Sequence, residues 1–217
     1  MHPLEHLTHP NRDAFAADPF GYAASGWHKW ENACIVAGVS SSFQEMPTVE
    51  DLKSPILWLC QAHALSEAAV SLVRNEPVFE SMPVTVRGVC DCQYMGVSLM
   101  LVGYSLEVCL KGFSIIKTGV SSFKGNEKAY RHHDLVRLSQ LVPDLTSKDK
   151  AILEALTHFT KWAGRYPDPG TKYFAHTEEI FRLSESYQIT AGDVFRLAAR
   201  IMGIAQQLVS DGEQNAS

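Results

Sequence analysis

Three groups of residues in this chain combine types and spacings that suit chemistry. Glu107 and Lys111 stand four residues apart, one turn of an α-helix, where side chains are neighbours. On a solvated face such a pair contributes only a few tenths of a kcal/mol, roughly 0.2–0.5. Here it closes the longest uncharged apolar stretch, Cys92 to Leu106. A partly buried pair is therefore expected, because buried charges are normally paired whether or not they act. His132-His133-Asp134 places two imidazoles beside a carboxylate. A metal-dependent phosphohydrolase would need a further His upstream and an Asp downstream, each on a helix facing that pair. The nearest upstream helical His is His63, and no suitably spaced Asp follows. Asp134 instead reads as a helix N-cap, with His133 at the helix start. His158, Trp162 and Arg165 recur at four and three residues, the spacing of one helical face. Arg165 near a helix C-terminus is favoured by the helix dipole. Beside Tyr166, and with Tyr173 and Phe174 downstream, its guanidinium also suits phosphate and base recognition.

Other groupings are incomplete. Cys90-Asp91-Cys92 has no second Cys or His pair to finish a zinc tetrad, and His63 lies among apolar residues as a core histidine would. No glycine-rich phosphate cradle, serine nucleophile elbow or paired-carboxylate signal is present. No metal and no cofactor is expected from the sequence.

The 217 residues are enough for one domain with its own apolar core. A net charge of −5 argues against a protein that coats nucleic acid generally. The charge is nevertheless segregated. Residues 1–51 carry seven acids against Arg12 and Lys29, whereas residues 111–137 carry six bases (Lys111, Lys117, Lys124, Lys128, Arg131 and Arg137) against Glu127 and Asp134. The second segment could attract phosphate locally. The five cysteines are an odd number, and the first residues lack an apolar leader. Both features suit a reducing cytoplasm. Cys92–Leu106 is shorter than the ~20 residues of a membrane span and reads as a core helix.

The elements that must position these residues are helical. Residues 1–17 read as a loose arm, 18–210 as a single helical-bundle domain and 211–217 as a frayed tail. Asp18-Pro19 and Ser54-Pro55 are helix-start signals, for helices reaching about Val39 and Arg74, with Ser40–Lys53 as a loop between them. Val84 to Val89 reads as a connector, and Asp91 as a cap for the central helix. That helix has an apolar stripe, Met95, Leu99, Val102, Leu106, Leu110 and Phe113. A second stripe is Gly96, Met100, Gly103, Glu107 and Lys111. Glycine inside a helix costs about 1 kcal/mol relative to alanine, so two glycines seven apart predict close approach by another helix. Gly119–His132 reads as a basic loop, and Ser147 as the cap of a helix whose core face includes Ile152, Leu156 and Phe159. Residues Gly164 to Ile189 read as a long connection with at most a helical turn at Thr177–Ser184. Thr190 and Asp193 resemble a capping box before the last helix. The pattern predicts an all-α fold, an antiparallel helical bundle of five to six helices.

The run Gly103-Tyr104-Ser105-Leu106-Glu107-Val108-Cys109-Leu110-Lys111 resembles the central helix of HEPN-domain proteins. The resemblance continues through His133-Asp134-Leu135-Val136-Arg137-Leu138 and ends with Trp162-Ala163-Gly164-Arg165-Tyr166-Pro167. It covers about residues 94–167, and the order and separation of the three motifs also agree. It implies an antiparallel helical bundle that often dimerises, in a prokaryotic toxin–antitoxin, defence or stress system. Family members cleave RNA without metal, bind nucleotides or partner with a nucleotidyltransferase. Ribonuclease members carry an Arg followed four to six residues later by a His, and this chain lacks that motif. Arg131 meets His132 and His133 too soon, and His158 and Arg165 stand in the reverse order.

The leading expectation is a HEPN-like module that binds RNA, a nucleotide or a nucleotide-handling protein through Glu107, Lys111, His133, Arg165 and Tyr166. A metal-independent ribonuclease drawing on Arg165, His158 or His133 is the second. A non-catalytic interaction module, with Trp27, Trp30 and Trp58 as candidate contacts, is the third.

Overall fold

The computed structural model describes residues 10–36, 47–75, 77–168 and 170–214. The described residues form helices and turns, with no strand among them. Contacts divide the chain into two compact units, 1–57 and 58–217. The first holds α1 (Arg12–Ala17), α2 (Pro19–Ala24), α3 (Gly26–Val36) and α4 (Val49–Leu52). Asp18 caps α2 as its sequence predicts, its carboxylate accepting from Gly21 N at 2.9 Å with Pro19 at the first helical position. The single helix expected from Asp18 is broken at Ser25. Part of the expected arm is helical, as α1, and part of the expected Ser40–Lys53 loop is helical, as α4. Residues 1–9 and 37–46 lie outside the described residues.

The second unit is built around α6 (Arg87–Thr118). Around it stand α5 (Pro55–Arg74), α9 (Leu135–Leu138), α10 (Ser147–His158) and α12 (Ala191–Gln214), with short α7 (Val120–Gly125) and α8 (Glu127–Tyr130) after its end, and α11 (Gly170–Tyr187) packs against α10. The expected count of five to six helices is too low because segments read as loops fold into short helices. Val84–Val86 is a 3-10 turn leading into α6, which starts at Arg87, ahead of Asp91, with no side-chain cap. The basic segment after Gly119 is α7 and α8. The largest correction is α11, an 18-residue helix where a long connection was expected. The last helix also runs on to Gln214, through the start of the expected tail.

Helix α6 is apolar on nearly every side, as a helix surrounded by protein must be. Val102, Leu106, Leu110 and Phe113 are buried, and so are Gly96, Gly103 and Glu107 on the second stripe. The α12 residues Leu197, Ile201 and Ala205 join the same core, with Ile152, Leu153 and Leu156 of α10. Two helical stretches, Glu50–Arg74 and Val84–Thr118, are long and apolar enough to cross a membrane. In the second, 61% of the most apolar 18-residue window is buried within the protein, against 17% in the first, and burial of that extent is the property of a core helix.

The directions of α5 and α10 relative to α6 follow from their contacts. Tyr94, early in α6, donates its hydroxyl to Leu72 O at 3.1 Å, while Gly112, late in α6, faces the Cβ of Trp58. Helices α5 and α6 are thus antiparallel. Gly103 lies against Leu156 and Thr160, and Gly96 against Ala163, so α10 and its extension also run antiparallel to α6. The predicted close approach is real. A Cβ on Gly103 would stand 2.5 Å from Thr160 Cγ2 and 3.2 Å from Leu156 O. Gly164 is needed for the same reason, since a Cβ there would collide with Met100.

Caps fix the ends of the surrounding helices. Thr146, one residue before the expected Ser147, forms a full capping box with Asp149. Thr190 and Asp193 form the equivalent pair before α12, at 2.8 Å between hydroxyl and carboxylate. Lys148 and Arg200 then cross between the two helix starts, pairing with Asp193 and Asp149, each at 2.7 Å. Burial pushes the Asp149 carboxyl up, but hydrogen bonds from Arg200 and Thr146 outweigh it and hold the pKa below its ordinary value.

Two stability measurements follow. Gly103→Ala should lower stability by about 1–2 kcal/mol in denaturant titration, because overpacking outweighs the gain in helix propensity. Gly88→Ala, in the same helix with open space around it, should be neutral or stabilising. Asp149→Asn should cost about 1 kcal/mol at neutral pH through the lost cap and ion pair. Asp149's lowered pKa gives stability that is present above its unfolded value and lost as pH falls through its folded value. The difference between Asp149→Asn and the parent should therefore shrink on acidification below the ordinary 3.8.

Candidate functional site

Helix α6 carries Glu107 into the protein interior, where it is 6% exposed. A carboxylate held there needs partners for both oxygens, and it has them. Lys111 Nζ donates to Oε1 at 2.7 Å, one turn along the helix. His133 Nδ1 meets Oε2 at 2.8 Å. Asp134 caps α9 by accepting from Arg137 N at 3.0 Å, and this fixes the segment that delivers His133. The His133 side chain is 46% exposed, so one end of the imidazole is gripped by a buried carboxylate while the ring reaches solvent.

Tyr104, one turn before Glu107, extends the group. Its ring stands edge-on to His133 with centroids 6.2 Å apart. Its hydroxyl donates to Thr160 O at 3.2 Å, and the Arg165 guanidinium lies 5.3 Å from its ring centroid, within cation–π range. Glu107, Lys111, His133 and Arg165 therefore belong to one contiguous group, linked through Tyr104. Tyr166 follows Arg165 and is 59% exposed. His132 is close by: burial first, then the charges of Arg137 and Lys111, lower its pKa. The group combines cations, two imidazoles and an aromatic ring, the set that recognises phosphate and base.

His158 is placed elsewhere. The α-helix gives way at Phe159 to a π-helical turn, Phe159–Ala163, with Gly164 N bonded to Phe159 O five residues back. That wider turn changes the register between His158 and Arg165, so the single face expected from their spacing does not form. Trp162 stacks on Tyr173 at 6.4 Å, Arg165 faces Tyr104, and His158 faces α11. There its Nε2 lies 3.6 Å from Glu179 Oε2, while His176 Nδ1 lies 2.7 Å from the same oxygen. Burial lowers the His158 pKa more than nearby Glu179 raises it, with His176 and Lys161 lowering it further. Glu154 beside Glu179 has a raised pKa, from burial and then from its like-charged neighbour.

Sequence reasoning missed Tyr104, His176 and Glu179. Tyr104 stood within the HEPN-like motif, but its link between His133 and Arg165 depends on how two helices cross. His176 and Glu179 are one turn apart on α11, a relation invisible while that segment was read as a loop. His63, expected in the core, is half-buried and hydrogen-bonded to Gln206. The five cysteines are free, and burial pushes the Cys109 thiol up to about 12.

Removing Glu107 should leave Lys111 and its surroundings uncompensated. Glu107→Ala should cost roughly 2–3 kcal/mol in equilibrium unfolding. The double change Glu107→Gln with Lys111→Met should recover most of that loss. Equal stability of parent and Glu107→Ala would contradict a buried, paired carboxylate. In comparison with known proteins, no family model, curated protein or solved structure matches this chain.

Proposed function

We propose that this chain is a HEPN-like helical module that binds RNA or a nucleotide, alone or in concert with a nucleotide-handling partner such as a nucleotidyltransferase. A homodimer in a prokaryotic toxin–antitoxin, defence or stress system is the setting that the motif resemblance implies. The observation that carries the reading is the grip of Glu107 on both Lys111 and His133. One buried anion organises two polar groups beside the exposed Arg165 and the Tyr104 ring. The guanidinium suits phosphate, and the Tyr104–His133 pair offers ring surface to a base. Segregation of positive charge into residues 111–137 adds a local attraction for polyanions despite the net negative charge.

A second reading, metal-independent RNA cleavage, is favoured by one feature of the same group. An imidazole oriented by a carboxylate through Nδ1 is the arrangement that makes histidine an effective general base. His133 would take the proton of a 2′-hydroxyl, and Arg165 would stabilise charge on the phosphate under attack. His158, a further candidate at the sequence level, has Glu179 and His176 as neighbours rather than Arg165.

Fluorescence anisotropy with labelled mixed-sequence RNA and with nucleoside triphosphates at low salt tests the binding reading. Affinity should fall as salt rises. Arg165→Ala should weaken binding about tenfold and reduce the salt slope by about one. Absence of binding to every probe at low salt, or binding indifferent to Arg165→Ala, would remove the basis for this assignment. Incubating the same RNA with protein and a chelator separates the two readings. Cleavage abolished by His133→Ala establishes the nuclease, and intact RNA leaves the binding module.

A further inference from the structure

Outside the Glu107 group, His158, His176 and Glu179 are set apart by their geometry. His158 is the last residue of α10, and His176 and Glu179 stand one turn apart on α11, so two facing helices supply the three side chains. One ligand atom from each lies within 4.8 Å of the others. At a tetrahedral zinc ion with bonds of about 2.0–2.1 Å, ligand atoms sit roughly 3.3 Å apart. The 3.6 Å between His158 Nε2 and Glu179 Oε2 nearly matches that spacing. The 2.7 Å between His176 Nδ1 and the same oxygen is a hydrogen bond that has to open by about half an ångström. Exchanging one proton for a metal ion does this.

A second observation comes from His158 itself. It is only 8% exposed, and its Nδ1 is buried without a hydrogen-bond partner. Its Nε2 is too far from Glu179 for a hydrogen bond. A buried imidazole nitrogen without a partner is uncommon, and with Nδ1 turned away from Glu179 it is Nε2 that faces the carboxylate. His158, His176 and Glu179 line a cavity of about 390 Å³ that also touches Asp134, Glu154 and Lys161. Arg182 lies 3.6 Å from Glu179 Oε1, on the other carboxylate oxygen, and leaves Oε2 to the imidazoles.

We propose that His158, His176 and Glu179 bind one divalent first-row transition ion of the zinc type, with its fourth position open to this cavity. Two imidazoles and one carboxylate are ligands of intermediate hardness that suit zinc and its neighbours rather than calcium or magnesium. The open fourth position, rather than a closed tetrad, is the pattern of a site that exchanges a water or an anion. The site goes beyond the nucleotide-binding reading and does not depend on it.

The test is titration of the metal-stripped full chain with Zn²⁺ against a chromophoric chelator, with Co²⁺ as a spectroscopic probe. One ion per chain should bind, Co²⁺ should show ligand-field bands without thiolate charge transfer, and Zn²⁺ should raise the melting temperature. His176→Ala and Glu179→Gln change partly exposed side chains, and their folding is checked by circular dichroism. Each should weaken binding by at least about 100-fold and abolish the thermal shift. The proposal is overturned if the parent binds no ion, if either folded variant binds as the parent does, or if cobalt spectra show thiolate ligation from the Cys90–Cys92 region.

Discussion

The close approach of two helix backbones at Gly103 governs most of what surrounds it. Helix α6 meets the Leu156–Thr160 turn with no room for a methyl group between them. Gly96 against Ala163 and Gly164 against Met100 continue that contact along the π-helical turn. Tyr104 can reach Thr160 O, and Arg165 can reach Tyr104, only because the two segments run this close. The π-helical turn has a similar reach. It sends His158 toward α11 and Arg165 toward α6, so residues seven apart serve different neighbourhoods.

Within that frame Glu107 solves a local electrostatic problem. A carboxylate that is 6% exposed would be costly unpaired. Lys111 from its own helix and His133 from the α9 entrance satisfy its two oxygens. Bonds of this kind add less to stability than they remove freedom: an alternative placement of α9 would strand the charge. The same pairing that completes the fold leaves a polar, partly exposed imidazole in a fixed orientation next to an exposed guanidinium. Fully satisfied, such a network holds its members in one arrangement.

Much of this was legible in the sequence, and the failures have physical causes. Period-three-and-four apolar spacing located α5, α6, α10 and α12, and the glycines at 96 and 103 correctly forecast a close-packed face. Asp18, Asp134 and the Thr190–Asp193 box acted as caps because side-chain capping depends only on neighbours along the chain. The Glu107–Lys111 pair followed from helical spacing and the apolar context. Helix α11 was not legible, because Pro167 and Pro169 and a polar composition obscured it. Its partners, Trp162 for Tyr173 and His158 for Glu179, come from a distant segment. The π-helical turn was equally hidden, since a single register shift leaves no compositional trace. For that reason His158 was grouped with Arg165, and the cluster it joins was missed.

The central claim is that Lys111, His133 and Arg165 form one ligand-facing group around Tyr104. Amide and imidazole chemical-shift mapping during titration with a short RNA or a nucleotide addresses it most directly. Perturbations concentrated on residues 104–111, 131–134 and 162–166 are the expected result. Perturbations confined to other parts of the chain, or none at saturating ligand, would contradict a shared site on this face.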